Sequence, residues 1–199
     1  MNRQTILFIS DMRQVYLAEI LTKKGRNVRC LDIRNSNAVL EQLEKLSDFL
    51  AEADTLILPI PVSKIPEQER LNDILNKDLT KHTLVLGGCF SGEQKKMLER
   101  RAISYLDFME DSIVTEENAV ATAEGVIAEL VRQSPYNIKD AKVLVSGYGY
   151  CGKAVAMRLA ALGARVTVLA RRREVRKQAK SDGFYAVDFA FGPEEAMGA

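Results

Sequence analysis

The sequence predicts an α/β fold built on parallel sheets, in two successive parts. Two observations predict it. Short apolar runs alternate with amphipathic stretches over the first half, and a glycine-rich turn at Gly147 to Gly152 joins a strand pattern to a helix pattern.

The first strand is Thr5-Ile-Leu-Phe-Ile-Ser10, followed by a helical stretch from Gln14 to Lys24 that stops at Gly25, and then by the strand Asn27 to Asp32. A helix with Leu40, Leu43, Leu46, Phe49 and Leu50 on one face leads to Thr55-Leu-Ile-Leu-Pro59, which Pro59 and Pro61 end because neither can donate to a ladder. A short helix around Arg70 to Leu75, the strand Thr83 to Gly87, a charged helix Glu93 to Arg101 and the run Ile103 to Asp107 complete the series. Five near-continuous apolar strands separated by helices imply a parallel sheet covered on both faces. A longer helical pattern from Glu116 through Ala119, Ala123, Val126, Ile127, Leu130 and Val131 then interrupts the rhythm, its small residues suited to close packing between two bodies, and Ser134-Pro135 ends it. The second part reads strand Lys142 to Ser146, glycine loop, helix Lys153 to Leu162, strand Arg165 to Ala170, helix Glu174 to Ser181 and a short strand Phe184 to Val187. The expected boundaries are 1–110, a linker helix over 111–137, and 138–199.

Composition excludes some function classes. With 28 Lys plus Arg against 27 Asp plus Glu, the formal net charge of +1 gives no general field for nucleic acid or an acidic membrane. No apolar run approaches the roughly 18 residues of a membrane span, and Met1 to Thr5 leads straight into a strand, so a cytoplasmic protein is the expectation. Cys30, Cys89 and Cys151 lack paired spacing and read as buried free thiols. No metal cluster, Ser/His/Asp set or phosphate loop of the G-x-x-x-x-G-K-[ST] type is present.

The stretch Ser146-Gly147-Tyr148-Gly149-Tyr150-Cys151-Gly152-Lys153 is the G-x-G-x-x-G dinucleotide fingerprint in the context it needs, after a strand and opening a helix. Gly147 allows the tight turn, Gly149 leaves room for pyrophosphate, and Gly152 lets helix and strand pack closely. The phosphates are expected on the free N–H groups at the helix start, with Tyr148, Tyr150 and Cys151 in the same cofactor-binding loop. A tight turn that binds nothing is the competing reading. Where an NAD site carries Asp or Glu, at the end of the second strand, the chain has Ala170-Arg171-Arg172-Arg173. Arg171 and Arg172 match recognition of the 2′-phosphate of NADP, with NAD as the alternative cofactor. A solvated basic helix start running on through Arg176, Lys177 and Lys180 is the other explanation.

Four features resemble one family. They are Asp11-Met-Arg13-Gln14 at the end of the first strand, Leu56-Ile-Leu-Pro59, Asn118-Ala-Val-Ala-Thr122-Ala-Glu124-Gly125, and the run from Gly147 to Arg171. They are similar to the D-x-R-Q, I-I-L-P, N-x-x-x-T-x-E-G and glycine-loop motifs of the dipicolinate synthase A-subunit family, a bacterial spore enzyme that makes pyridine-2,6-dicarboxylate. In outline they are shared with adenosylhomocysteinase and the D-2-hydroxyacid dehydrogenases. The fold implied is a flavodoxin-like five-stranded parallel domain, a linker helix and the first half of a Rossmann NAD(P)-binding domain. The chain departs from the family in carrying Ile9-Ser10 where glycines usually precede D-x-R-Q, and in stopping at Ala199 after one βαβαβ half. The missing side of the nicotinamide pocket therefore implies either truncation or another chain. Half a sheet would expose apolar surface, so oligomerisation is expected unless Phe189 to Ala199 covers it.

The activity that the resemblance implies is oxidation of a dihydrodipicolinate-type ring to dipicolinate by NADP during sporulation, in the mother cell, with the B-type synthase subunit as partner. Open sheets bind ligands beyond the carboxyl ends of their strands, which selects Asp11, Arg13, Ser63, Gly87, Gly88, Ser91, Thr122 and Glu124. Asp11, Arg13, Thr122 and Glu124 are the candidate catalytic set. Arg13 suits a carboxylate of a small dicarboxylate substrate, the alternative being a surface salt bridge. Glu124 could accept a proton if burial raises its pKa, and an ordinary buried salt bridge explains it equally well. His82 lies before its strand and reads as a surface residue. The rival function is a non-catalytic NADP-binding or assembly module, or a truncated, inactive member. Another small-acid dehydrogenase is disfavoured, because the catalytic histidine of a later segment is absent.

Overall fold

A computed structural model describes residues 4–190 of the chain. The chain divides into two compact units, Met1–Asp111 and Ser112–Ala199. The part of the proposed covering segment Phe189 to Ala199 that follows residue 190 lies outside the described residues.

The first unit alternates β1 (Gln4–Ile9), α1 (Met12–Lys23), β2 (Asn27–Asp32), α2 (Val39–Leu50), β3 (Ala53–Ile57), α3 (Gln68–Asp78), β4 (Leu84–Gly87), α4 (Gly92–Arg100) and β5 (Tyr105–Asp107). Its five strands are all parallel, in the order β2-β1-β3-β4-β5. Alternation within each strand sends Ile6, Phe8, Leu56, Leu58 and Val85 to one face. There they meet Leu43, Leu46 and Leu50 of α2, Leu71, Ile74 and Leu75 of α3, and Met97 and Leu98 of α4. Helix α1 packs on β1 and β2. The sheet order reverses direction between β1 and β3, so the crevice at their carboxyl ends is the topological switch point of the unit.

Asp107 holds this end of the sheet together. It is only 3% exposed, and its carboxylate accepts the backbone N–H of Cys89 (2.9 Å), Phe90 (3.1 Å) and Met109 (3.0 Å), with Lys95 Nζ at 3.2 Å. Burial pushes its pKa up, but the three backbone donors and Lys95 outweigh burial and hold it below the ordinary carboxylate value. The loop after β4 is thereby pinned in a shape that puts Cys89 at φ 57 and leaves its side chain exposed. Cys30, on edge strand β2, and Cys151 are exposed as well, which corrects the expectation of buried thiols. Apolar character places a cysteine inside only where its element is covered, and none of these three positions is.

The second unit consists of α5 (Ser112–Gln133), β6 (Lys142–Ser146), α6 (Tyr150–Ala161), β7 (Arg165–Leu169), α7 (Arg173–Ser181) and β8 (Tyr185–Val187), with a parallel sheet in the order β6-β7-β8. Helix α5 packs against α6 and buries Thr115, Ala119 and Ala123, a stripe of small side chains four residues apart. No helix among the described residues is long and apolar enough to cross a membrane.

Replacing Asp107 by Ala removes the acceptor of three backbone N–H groups, one buried and two partly buried, and urea unfolding should show a loss of about 2–4 kcal/mol. Because the folded pKa is depressed, the contribution of Asp107 is present above the unfolded pKa and is lost as pH falls through the folded one. The gap between the wild type and Asp107→Ala should therefore narrow in acid.

Candidate functional site

In the second unit the glycine loop follows β6 directly. Gly147 takes φ +91, a left-handed conformation open to glycine, and its N–H donates to Leu169 O at 2.8 Å, tying the loop to the end of β7. A Cβ at Gly152 would stand 2.2 Å from the Gly147 carbonyl oxygen, far inside any real contact, whereas a Cβ at Gly149 would meet nothing within 4 Å. The helix therefore crowds its own loop at Gly152 while the space over Gly149 stays open to a ligand. Helix α6 begins at Tyr150 with Gly149 as N-cap, three residues earlier than periodicity implies. The N–H groups of Tyr150, Cys151 and Gly152 thus lie in its first turn, without intrahelical acceptors.

Tyr148 points away from this opening. It is 7% exposed, its ring stacks edge-on against Phe184, and its hydroxyl donates to Asp182 Oδ2 at 2.9 Å. Lys153 Nζ lies 2.9 Å from the same oxygen, and Gln178 donates to Oδ1 at 3.0 Å. Burial, then the bond to Asp182, push the Tyr148 phenol well above its ordinary range. The hydrogen bonds from Lys153 and Tyr148 pull the Asp182 carboxyl down. Loop, α6 and the end of α7 are thus clamped together by residues that motif spacing does not mark.

Two clefts meet at Tyr148 and Gly149. One, of about 420 Å³, is lined by Gly147, Ala170, Arg171, Arg172, Val175 and Phe189; the other, of about 450 Å³, by Glu116, Tyr150, Lys153, Met157 and Arg158. Arg171, Arg172 and Arg173 are exposed at the start of α7, and among the described residues no carboxylate pairs with Arg171 or Arg172. The Arg171 guanidinium lies over the Phe189 ring, 5.3 Å from its centroid.

In the first unit, the D-x-R-Q run proves to be a helix start. Asp11 is the N-cap of α1, its side chain accepting from Arg13 N, while Gln14 Oε1 accepts from Asp11 N at 2.9 Å. This is a capping box in which Gln14 is buried. The Asp11 carboxylate also takes Arg13 Nε (3.1 Å) and Nη2 (2.8 Å), and across the switch point Lys64 Nζ (2.7 Å). Its bond to Arg13, and then that to Lys64, overcome burial and hold the carboxyl well below the usual carboxylate range. Two cations therefore share one anion at the switch point. Ser91 caps α4 in a second capping box, with Gln94.

Thr122 and Glu124 are exposed on α5, and the Thr122 hydroxyl donates to Asn118 O. Glu124 therefore lacks the burial that the expected role of proton acceptor requires. His82 is exposed ahead of β4, and no group of metal-ligating side chains occurs among the described residues.

The family model for the N-terminal domain of the dipicolinate synthase A-subunit matches residues 10–109. The chain belongs to the dipicolinate synthase A-subunit family. The curated relative from Bacillus subtilis (strain 168), the A-subunit of dipicolinate synthase, is 27% identical over 177 residues, an alignment that covers 81% of this chain and 58% of that protein. The chain thus spans little more than half the length of that relative. The crystal structure of the dipicolinate synthase A-subunit from Bacillus halodurans shares the fold with TM-score 0.69 and 19% identity, over 96% of this chain and 69% of that one. An NAD-dependent formate dehydrogenase from Staphylococcus aureus in complex with NAD matches with TM-score 0.50 and 16% identity, over 94% and 60% of the two chains.

Gly152→Ala should destabilise the second unit by about 1–3 kcal/mol, because the Gly147 carbonyl must give way. Gly149→Ala should leave the thermal unfolding midpoint unchanged, since its Cβ meets open space.

Proposed function

We propose that the chain is part of an NADP-dependent oxidoreductase and binds its dinucleotide at the glycine loop of the second unit. The observation that carries this reading is the pairing of the Gly152 to Gly147 crowding with open space over Gly149, because it leaves room for an anion beside the first-turn N–H groups of α6. In this reading Gly149, Tyr150, Cys151 and Gly152 donate to the pyrophosphate. Arg171 and Arg172 grip the adenosine 2′-phosphate, and the cleft beside Tyr150 and Lys153 receives the nicotinamide side. Arginines without carboxylate partners, where an NAD site needs an acid, support NADP over NAD.

Family membership supports, as the substrate of this proposal, a dihydrodipicolinate-type ring oxidised to dipicolinate during sporulation. The bound dinucleotide supplies the hydride acceptor, so the protein must supply grips for two carboxylates and a base for the proton released as the ring becomes aromatic. Arg13, more than half exposed while bonded to Asp11, is the proposed carboxylate grip, with Lys64 adding positive charge beside it. Asp11 fixes the Arg13 fork, while Glu124, exposed on α5, lacks the burial on which a proton-acceptor role depends. Thr122, bonded to its own helix, braces α5. Partnership with the B-type synthase subunit, homo-oligomeric assembly and a place in the cytoplasm of the mother cell belong to the same proposal.

Calorimetric titration with NADPH and NADH tests the cofactor assignment. The wild type should bind NADPH more tightly, Gly149→Ala should lose binding by at least about tenfold, and the double change Arg171→Ala with Arg172→Ala should remove the preference for NADPH. A folded wild-type protein that binds neither nucleotide would refute the reading.

A further inference from the structure

Arg176 makes a connection that the cofactor reading leaves unused. From the first turn and a half of α7, its Nη1 donates to Ala170 O at 2.7 Å and to Arg171 O at 2.5 Å, and lies 2.5 Å from Asp188 Oδ2. One nitrogen touching both means that the Asp188 carboxylate oxygen is no more than 5.0 Å from the Arg171 carbonyl. Asp188 sits just past β8 and immediately before Phe189, the ring on which the Arg171 guanidinium rests. The acid therefore stands beside the cleft that holds Arg171 and Arg172, at the same end of the sheet.

We propose that Arg176 and Asp188 form a charge clasp that sets how strongly this cleft discriminates a 2′-phosphorylated adenosine from a plain one. The proposal rests on the cofactor reading above. Arg176 is a positioning residue, not a ligand-contacting one. Its side chain folds the Ala170 and Arg171 carbonyls back toward β8, so that the Arg171 and Arg172 side chains leave on the cleft side. It also neutralises the Asp188 carboxylate beside Phe189. Without Arg176, Asp188 would stand unpaired beside the phosphate position, and its repulsion would oppose the two arginines. Without the acid, Arg176 would keep its two carbonyl bonds and add a positive charge. The two single changes therefore act in opposite directions, a result that a purely structural brace does not produce.

The test compares adenosine 2′,5′-bisphosphate with adenosine 5′-monophosphate, a pair that differs only in the 2′-phosphate and needs no nicotinamide pocket. Dissociation constants are measured for the full chain, for Arg176→Gln, for Asp188→Asn and for the double variant, with unfolding midpoints as the check on folding. The preference for the bisphosphate should fall about fivefold in Arg176→Gln, rise by a similar factor in Asp188→Asn and return near the wild-type value in the double variant, as one partly exposed charge interaction predicts. The shifts should shrink at high salt. Equal weakening of both ligands by both single variants, or a ratio that no variant moves, would overturn the clasp while leaving the cofactor site standing. Should Arg176→Gln fail to fold, an unchanged ratio in Asp188→Asn overturns the proposal alone. A wild type that binds neither ligand would overturn the cofactor reading, and the clasp with it.

Discussion

The second unit depends on one close approach. The start of α6 lies against the carbonyl of Gly147 so tightly that a single methyl group at position 152 would stand 2.2 Å from the oxygen. Because the helix comes in so low, the turn passes through a left-handed residue, which Gly147 supplies at φ +91, while the space over Gly149, the N-cap of the helix, stays open. The same approach carries Tyr148 inward, where its hydroxyl meets Asp182 and, through that carboxylate, Lys153. Loop shape, the free first-turn N–H groups and the polar clamp on Tyr148 are consequences of one packing distance.

The first unit solves a similar problem with carboxylates. Its loops leave the carboxyl ends of parallel strands, where backbone N–H groups lose their ladder partners. Asp107 collects three such donors after β4 and β5, Asp11 caps α1 after β1, and Ser91 caps α4. Acids used as backbone acceptors attract cations, which is why Lys95 meets Asp107 and both Arg13 and Lys64 meet Asp11. Around Asp11 the switch point thereby carries two cations against one carboxylate, held by residues whose first task is structural.

Much of this could be read from the chain, for physical reasons that differ by element. The central strands β1 and β3 are buried on both faces and read as near-continuous apolar runs, whereas the largely exposed edge strand β2 is legible from its place in the alternation of strand and helix. The fifth strand starts at Tyr105 rather than Ile103, because Ile103 packs into the core ahead of the ladder. The glycine loop was legible because its spacing encodes a steric demand. Asp11 and Gln14 were visible as a motif, yet their capping role emerged only with the hydrogen bonds. The Tyr148, Asp182 and Lys153 clamp and the Arg176 to Asp188 pair join residues that are distant in sequence, and no local period marks them. The cysteines misled because apolar character does not reveal whether an element is covered. The placement of Glu124 on an exposed face likewise required the helix to be seen packed.

The most direct test of a nucleotide phosphate site on the first turn of α6 is backbone amide hydrogen exchange with and without NADPH. The Tyr150, Cys151 and Gly152 amides have no intrahelical acceptors, so they should exchange rapidly in the free protein and slow by at least about tenfold on binding, while β1 to β5 keep their rates. No slowing at these amides under saturating NADPH, or slowing confined to other segments, would contradict the site.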